Sequence, residues 1–157
     1  MPEIELFDII ATIESNNNFT AMRFELNVYT SIDIQFTRPN IKSLINRIKN
    51  IHKCSYATAN MIYSTSWGAI QIMGFNIYNP NFKYQKSIVD FLNSEDDQRS
   101  LFDKFITSLN LNYSPVILAQ DANKRDDFAR YYNGSGNIEV YSSLIKASLQ
   151  QHGFEVK

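Results

Sequence analysis

The sequence predicts a mainly α fold with a small β-hairpin region after the first helix, that is, a mixed α+β domain. Apolar residues recur at helical spacing over most of the chain, as Ile41, Leu44 and Ile48 do. Asn, Gly, Pro and Ser separate these segments from one another. Residues 20–34 instead mix β-branched and aromatic residues with polar ones, which indicates a small hairpin or irregular sheet.

The first helix is predicted over residues 2–14. Pro2 stands where a helix start tolerates proline, and the glutamates that follow suit the positive end of the helix dipole. Phe7 and Ile10 recur at helical spacing on one face. The three consecutive asparagines at residues 16–18 then end the helix.

Later helices follow the same pattern of apolar periodicity and breaking residues. Asn40, just after Pro39, is placed to cap a helix that runs to about Cys54. We predict the remaining helices at residues 55–63, 66–73, 84–93, 95–110, 115–121, 123–132 and 138–151.

The composition favours one compact domain over residues 1–157, and we expect a monomer. The chain is 44% hydrophobic and 13% aromatic, which is enough to bury a core without a disulfide or a metal. Cys54 is the only cysteine, so an internal disulfide is excluded and folding in a reducing cytoplasm is favoured. The acidic N-terminus predicts no signal peptide, and no apolar run reaches the roughly 20 residues of a membrane span.

Charge and motifs argue against several classes of partner. A formal charge of −1 provides no field that would attract nucleic acid. The two histidines are far apart in the sequence and there is a single cysteine, so no metal site is predicted. No nucleotide or other cofactor fingerprint occurs, so no cofactor is expected. Lys42, Lys49 and Lys53 form a basic stripe on one predicted helix, which is either a solvated face or a site for phosphate groups.

Glu14 is the first candidate catalytic residue. It lies four positions after Ile10 and seven after Phe7, so it projects from the apolar face of the first predicted helix. Desolvation and the negative end of the helix dipole both disfavour an ionised carboxylate there. A carboxyl that stays protonated can act as the general acid of glycoside cleavage. The equal alternative is a structural residue that closes the helix by bonding to the asparagine turn.

Glu25, eleven positions later, is the second candidate carboxylate. Glycoside cleavage needs a second carboxylate that stabilises the charged transition state, attacks it or activates water. An acid between Phe24 and Leu26 on a predicted strand is more often a solvent-facing residue. The pair of glutamates therefore carries more weight than either glutamate alone.

Two later segments contain residues suited to binding a polymer. In STSWGAIQIMG, the amide of Gln71 lies in an apolar run between Gly68 and Gly74, and glycines let a ligand approach the backbone closely. The alternative is a tight turn with Gln71 bonded internally. In FARYYNG, Tyr131 or Tyr132 would offer a ring face and a hydroxyl to a sugar, and the alternative is ordinary packing at a helix end.

The order IES, SWGAIQIMG, ARYYNG resembles the lysozyme-like superfamily. Goose-type lysozymes and lytic transglycosylases have a helix-terminal glutamate, an S-x-G-x-x-Q-like segment and a Tyr-Asn-Gly helix end in this order. Over nearly its full length the chain is similar to the N-acetylmuramidase family of phage endolysins. The similarity includes an E-S-x-x-x-F start, the Phe24-Glu25 step, the SWGAIQIMGFN core and an F-x-x-F-I helix at residues 102–106.

This resemblance implies a lysozyme-like helical domain that cleaves the β-1,4 bond between N-acetylmuramic acid and N-acetylglucosamine in bacterial peptidoglycan. It implies Glu14 as the general acid and Glu25 as the partner carboxylate. Ser66, Gln71 and Tyr132 match positions that line the glycan groove in the superfamily.

The chain departs from the family pattern in two respects. Asn27 stands where members often have a histidine, so proton handling by that histidine is lost. No separate cell-wall-binding domain is expected. The alternatives are a lytic transglycosylase, and a non-catalytic peptidoglycan-binding or phage-tail structural domain. Without a signal peptide, the protein would reach the wall by holin-type release or through a tail or secretion apparatus.

Overall fold

The structure is a computed structural model that describes residues 3–35 and 39–157. The chain divides into two compact units. We call Met1–Asn17 with Phe102–Lys157 the terminal unit, and Asn18–Leu101 the central unit. The single domain expected over residues 1–157 stays a prediction.

Helices predominate along the described residues, and the short strands all lie before Gly74. The helices are α1 (Leu6–Ser15), α2 (Leu26–Gln35), α3 (Pro39–His52), α4 (Tyr56–Tyr63), α5 (Gly74–Ile77), α6 (Ile88–Leu92), α7 (Glu95–Ser108), α8 (Pro115–Gln120), α9 (Ala122–Asn133) and α10 (Ile138–Gln151). The strands are β1 (Met22–Phe24), β2 (Thr65–Trp67) and β3 (Ile72–Met73), and 3-10 turns cover Pro80–Phe82 and Ser135–Asn137. The predicted mainly α class with a small β region is confirmed.

Two predicted segments are wrong. Residues 66–73, predicted as a helix, form most of β2, a turn and β3, because Gly68 and Gln71 take left-handed backbone angles (φ 76° and 49°) that interrupt a right-handed helix. Of the predicted hairpin region, only β1 is a strand. The rest is largely α2, which begins where the Glu25 carbonyl accepts hydrogen bonds from the backbone N–H groups of Val28 and Tyr29.

Two predicted helix starts are too early. The helix predicted from residue 84 begins at Ile88, because the Ser87 side chain caps it by accepting from the Asp90 N–H. The first helix begins at Leu6, where Glu5 and Asp8 form a capping box. The predicted role of Pro2 lies outside the described residues.

The terminal unit packs α1 against α10, and α9 against both α8 and α10. Ile9 of α1 is fully buried, and the Ser148 hydroxyl on α10 donates a hydrogen bond of 2.8 Å to the Ile9 carbonyl. Phe7 of α1 contacts Phe102 edge to face, with ring centroids 5.6 Å apart. The hydrogen bond fixes α1 against α10, and the ring contact joins α1 to Phe102 of α7. None of the helices in the described part of the chain combines the length and apolarity needed to span a membrane.

The central unit contains an antiparallel sheet in the order β1-β2-β3. Ser66 in the middle strand pairs with Arg23 of β1 on one side and with Met73 of β3 on the other. All three residues of β2 are buried, whereas all three residues of the edge strand β1 are exposed. Helices α3 and α4 pack against each other in the same unit, where Ile45 and Ile48 are fully buried.

Gln98 of α7 joins three segments of the central unit. Its side chain is fully buried. Its Oε1 accepts a 2.8 Å hydrogen bond from the Ala69 N–H, and its Nε2 donates to the carbonyls of Phe19 (2.8 Å) and Phe91 (3.1 Å). Buried backbone groups without a partner are costly, so this one amide holds the β2–β3 turn, the segment before β1 and α6 in place.

Replacing Gln98 with Leu should lower the free energy of unfolding by about 3 kcal/mol, because it leaves buried donors and acceptors unpaired in a site of unchanged size. Urea denaturation followed by circular dichroism measures this loss. Gln150→Leu, at an exposed position of α10, is the matched control and should change stability by less than about 0.5 kcal/mol. Equal effects of the two substitutions would contradict the role given to Gln98.

Candidate active site

Glu14 lies in the last turn of α1, at an end that the asparagines define. Asn16 and Asn17 both take left-handed angles (φ 53° and 61°), which asparagine tolerates better than most residues. Their backbone N–H groups donate to the carbonyls of Thr12 (3.2 Å) and Ala11 (3.0 Å), which closes the helix. Glu14 is half-buried there, so it is neither in the core nor in open solvent.

The carboxylate of Glu14 is held by a tyrosine from the other end of the chain. The Tyr141 hydroxyl, on α10, donates a hydrogen bond of 2.5 Å to Oε1 of Glu14. Tyr141 is itself 4% exposed, so its ring is fixed by packing. A short bond from a fixed donor limits the positions that the carboxylate can occupy.

Tyr132, near the end of α9, belongs to an aromatic cluster beside this pair. Its ring stacks on Phe128 (centroids 5.1 Å apart) and lies 6.1 Å from the ring of Tyr141. Phe102 and Phe105 of α7 contact the same ring edge to face, at 6.2 and 5.9 Å. The predicted site residues Glu14 and Tyr132 are thus brought to one place in the terminal unit.

The hydroxyls of Tyr132 and Tyr141 are difficult to ionise. Burial is the main cause that raises the pKa of each hydroxyl well above the usual value. The negative charge of Glu14 raises the pKa of both further, and for Tyr141 the interaction with Tyr132 and the hydrogen bond to Glu14 add to the effect. Both hydroxyls therefore remain neutral hydrogen-bond donors at neutral pH.

Ser66 and Gln71 lie together in the central unit. Ser66 is 1% exposed, and its hydroxyl contacts the Arg23 carbonyl (3.2 Å) and Oε1 of Gln71 (3.4 Å). Nε2 of Gln71 donates to the Gly68 carbonyl at 2.9 Å. The amide of Gln71 is thus bonded internally, as expected for a tight turn. Its side chain is nevertheless half-buried rather than fully buried.

Glu25 lies between β1 and α2. Its backbone N–H donates to the Ser64 carbonyl at 2.9 Å, which ties it to the end of α4. Its Oε1 accepts a hydrogen bond of 2.6 Å from Nε of Arg23, and its side chain is 32% exposed. Glu25 is therefore a half-exposed, paired carboxylate at the edge of the sheet. The catalytic roles of Glu14 and Glu25 and the groove roles of the other residues stay predictions.

The space beside the two glycines of the SWGAIQIMG segment is occupied by other atoms of the protein. A Cβ on Gly74 would lie 1.8 Å from the Ile62 carbonyl oxygen, and one on Gly68 would lie 2.5 Å from Oε1 of Gln98. The close approach that these glycines permit is therefore used by α4 and α7.

Tyr141 and Arg23 contact the two candidate carboxylates, and sequence reasoning missed both. Tyr141 shares the buried face of α10 with Ile145 and Leu149, at positions i, i+4 and i+8. A tyrosine on such a face needs a hydrogen-bond partner for its hydroxyl. This requirement was the sequence feature that could have indicated a polar partner for Tyr141. Among the described side chains, no group of three or more His, Cys, Asp or Glu could hold a metal ion.

Stability should decrease at high pH because the pKa values of Tyr132 and Tyr141 are raised in the folded state. Their folded pKa values lie above the unfolded value of about 10, so their contribution is complete below about pH 10 and is lost as the pH rises further. Tyr141→Phe should reduce the slope of unfolding free energy against pH by about 1.4 kcal/mol per pH unit in that range. Urea denaturation at a series of pH values measures it. The control Tyr131→Phe, at a 60% exposed position, should keep the wild-type slope; identical slopes for both variants would refute the assignment.

Comparison with known proteins agrees with this architecture. A family model described as N-acetylmuramidase matches residues 40–153. The endolysin of Enterobacteria phage PRD1 is 41% identical over 149 residues, which cover 94% of this chain and 96% of that protein. No solved structure matches the chain significantly. The chain therefore belongs to the N-acetylmuramidase family of glycoside hydrolases.

Proposed function

We propose that this muramidase hydrolyses the β-1,4 bond between N-acetylmuramic acid and N-acetylglucosamine, with Glu14 as the general acid. The observation that carries this role is the placement of Glu14: a half-buried carboxyl at a helix end, held by the Tyr141 hydroxyl. Glu14 and Glu25 lie outside the residues that the family model matches, so their roles rest on geometry and chemistry.

Cleavage of a glycoside requires a proton on the leaving oxygen. Glu14 brings a carboxyl to the last turn of α1, where it is half-buried. The partial exposure of Glu14 leaves it reachable by a ligand. Tyr141 orients the carboxyl without competing for its proton, because a neutral hydroxyl donates to the carboxyl oxygen. Together these features suit a proton donor with one preferred orientation.

Glu25 would supply the second charge. A carboxylate near the sugar can stabilise the positively charged transition state or activate water. Its hydrogen bond with Arg23 at the edge of the sheet holds the carboxylate in one position. From the family resemblance, we assign Gln71 and Tyr132 to glycan binding, and each is half-buried within its own unit. Ser66 is buried, so it would act by holding Gln71.

The phage relative suggests where the protein acts. That relative is an endolysin, and 94% of this chain is covered by the match. By analogy, we propose that this muramidase acts on the cell wall during phage lysis. We propose separately that it acts as a monomer. It would reach the wall by holin-type release or through a tail or secretion apparatus.

Glu14→Gln should reduce the clearing of purified peptidoglycan at least about a hundredfold, because it removes the acid and keeps the shape of the side chain. Turbidity measures the rate, and circular dichroism checks the fold. Glu139→Gln, at an exposed position in the first turn of α10, is the matched control and should clear peptidoglycan like the wild type.

Mass spectrometry of the wild-type products completes this test. Reducing muramic acid ends are expected from hydrolysis, whereas anhydro-muramic ends would assign the chain to the lytic transglycosylases. Unchanged clearing by Glu14→Gln would reject Glu14 as the acid. Absence of clearing by the folded wild type would favour a non-catalytic binding domain.

A further inference from the structure

The central unit has two adjoining grooves along α3 that none of the five predicted site residues lines. One groove has a volume of about 730 Å³ and the other about 510 Å³. Both lie within the size range of ligand sites. Ser43, Arg47 and Pro80 line both grooves, so the two form one surface, which we call the α3 groove.

The lining of the α3 groove is rich in side-chain amides. Six asparagines contribute to it, namely Asn40, Asn46, Asn50, Asn76, Asn79 and Asn81. Each amide can donate and accept hydrogen bonds, as the acetamido group of an N-acetyl sugar also does. Within the described part of the chain, the side chains of Asn46, Asn50, Asn76 and Asn81 make no hydrogen bond, so their amides are available to a ligand.

Two aromatic residues lie among these amides. Tyr63 and Phe75 line the groove, and their ring centroids are 5.2 Å apart at an interplanar angle of 45°. Both residues are half-buried. Aromatic faces pack against the apolar faces of sugar rings while a tyrosine hydroxyl remains available for hydrogen bonding.

The charge of the α3 groove is positive. Lys42 and Arg47 line it, and none of its described lining residues is acidic. This contrasts with the chain as a whole, which has a formal charge of −1. Such a surface complements a ligand that carries carboxylates, and the exposed Lys42 is placed to contact one.

The floor of the groove is held in a fixed shape. Arg47 donates hydrogen bonds to the carbonyls of Tyr78 (3.2 Å) and Tyr84 (3.1 Å). These bonds fix both ends of the segment 78–84, which carries Asn79 and Asn81. Within that segment, the Asn79 side chain accepts from the Asn81 N–H at 3.0 Å. A groove that is already ordered loses less entropy when it binds.

We propose that the α3 groove is a second peptidoglycan-binding site, which holds N-acetylated sugar rings on its amides and aromatic faces and a stem-peptide carboxylate on Lys42. Peptidoglycan combines these groups in one polymer, because the peptides that carry carboxylates are attached to N-acetylated sugars. The site would retain the enzyme on the insoluble wall. This inference rests on the proposed action on peptidoglycan.

Binding to purified sacculi tests the α3 groove directly. In the Glu14→Gln background, Lys42→Glu should weaken the retention of the protein on sacculi about fivefold. This factor corresponds to the loss of one exposed ion pair of about 1 kcal/mol. Lys49→Glu is the matched control: it makes the same charge change on an exposed residue of the same helix but does not line the groove. It should bind like its parent. Equal retention of the two variants, or equal loss, would overturn the proposal.

A second variant and a second substrate complete the test. Asn81→Asp introduces an acid at an exposed groove position and should also weaken retention. With Glu14 intact, Lys42→Glu should lose more activity on sacculi than on short soluble glycan fragments. An equal loss on both substrates would make the groove part of the catalytic cleft and overturn the separate site. Clearing of sacculi by the Glu14→Gln parent is measured in parallel, so failure of the proposed function and failure of the α3 groove are read from separate results.

Discussion

The hydrogen bond from Tyr141 to Glu14 is the interaction on which the rest of the account depends. It joins the last turn of α1 to α10, across 127 positions of sequence, and it gives a half-buried carboxyl a defined direction. The surrounding fold can be understood as the structure that keeps these two groups together.

Much of the terminal unit serves that purpose. The left-handed angles of Asn16 and Asn17 end α1 just after Glu14. The Ser148 to Ile9 hydrogen bond fixes α1 against α10. The aromatic cluster around Tyr132 excludes water from one side, which raises the pKa of the tyrosine hydroxyls and keeps them as donors. In the central unit, buried polar contacts at Gln98 and Ser66 play a comparable structural part, since they shape a turn whose half-buried Gln71 remains accessible.

The sequence predicted well where periodicity was regular and poorly where one residue had an unusual conformation. Helices α8, α9 and α10 were predicted to within one residue at each end, because their apolar spacing and capping residues agree. The apolar run before Gly74 also looked helical, but the left-handed backbone of Gln71 is not a preference of glutamine and arises from the turn it completes. Glu14 was singled out because a charge on an apolar face is unusual, and its catalytic role stays a prediction. Its partner Tyr141 was missed because no local pattern links positions so far apart.

The central claim is that a glycan binds with its scissile oxygen beside the carboxyl that Tyr141 orients. A crystal structure of the Glu14→Gln variant with a peptidoglycan tetrasaccharide measures this directly. A glycosidic oxygen is expected within about 3 Å of the residue 14 side chain, with Tyr141 still in contact with that side chain. A bound tetrasaccharide whose glycosidic oxygens all lie beyond hydrogen-bonding reach of residue 14 would contradict the claim.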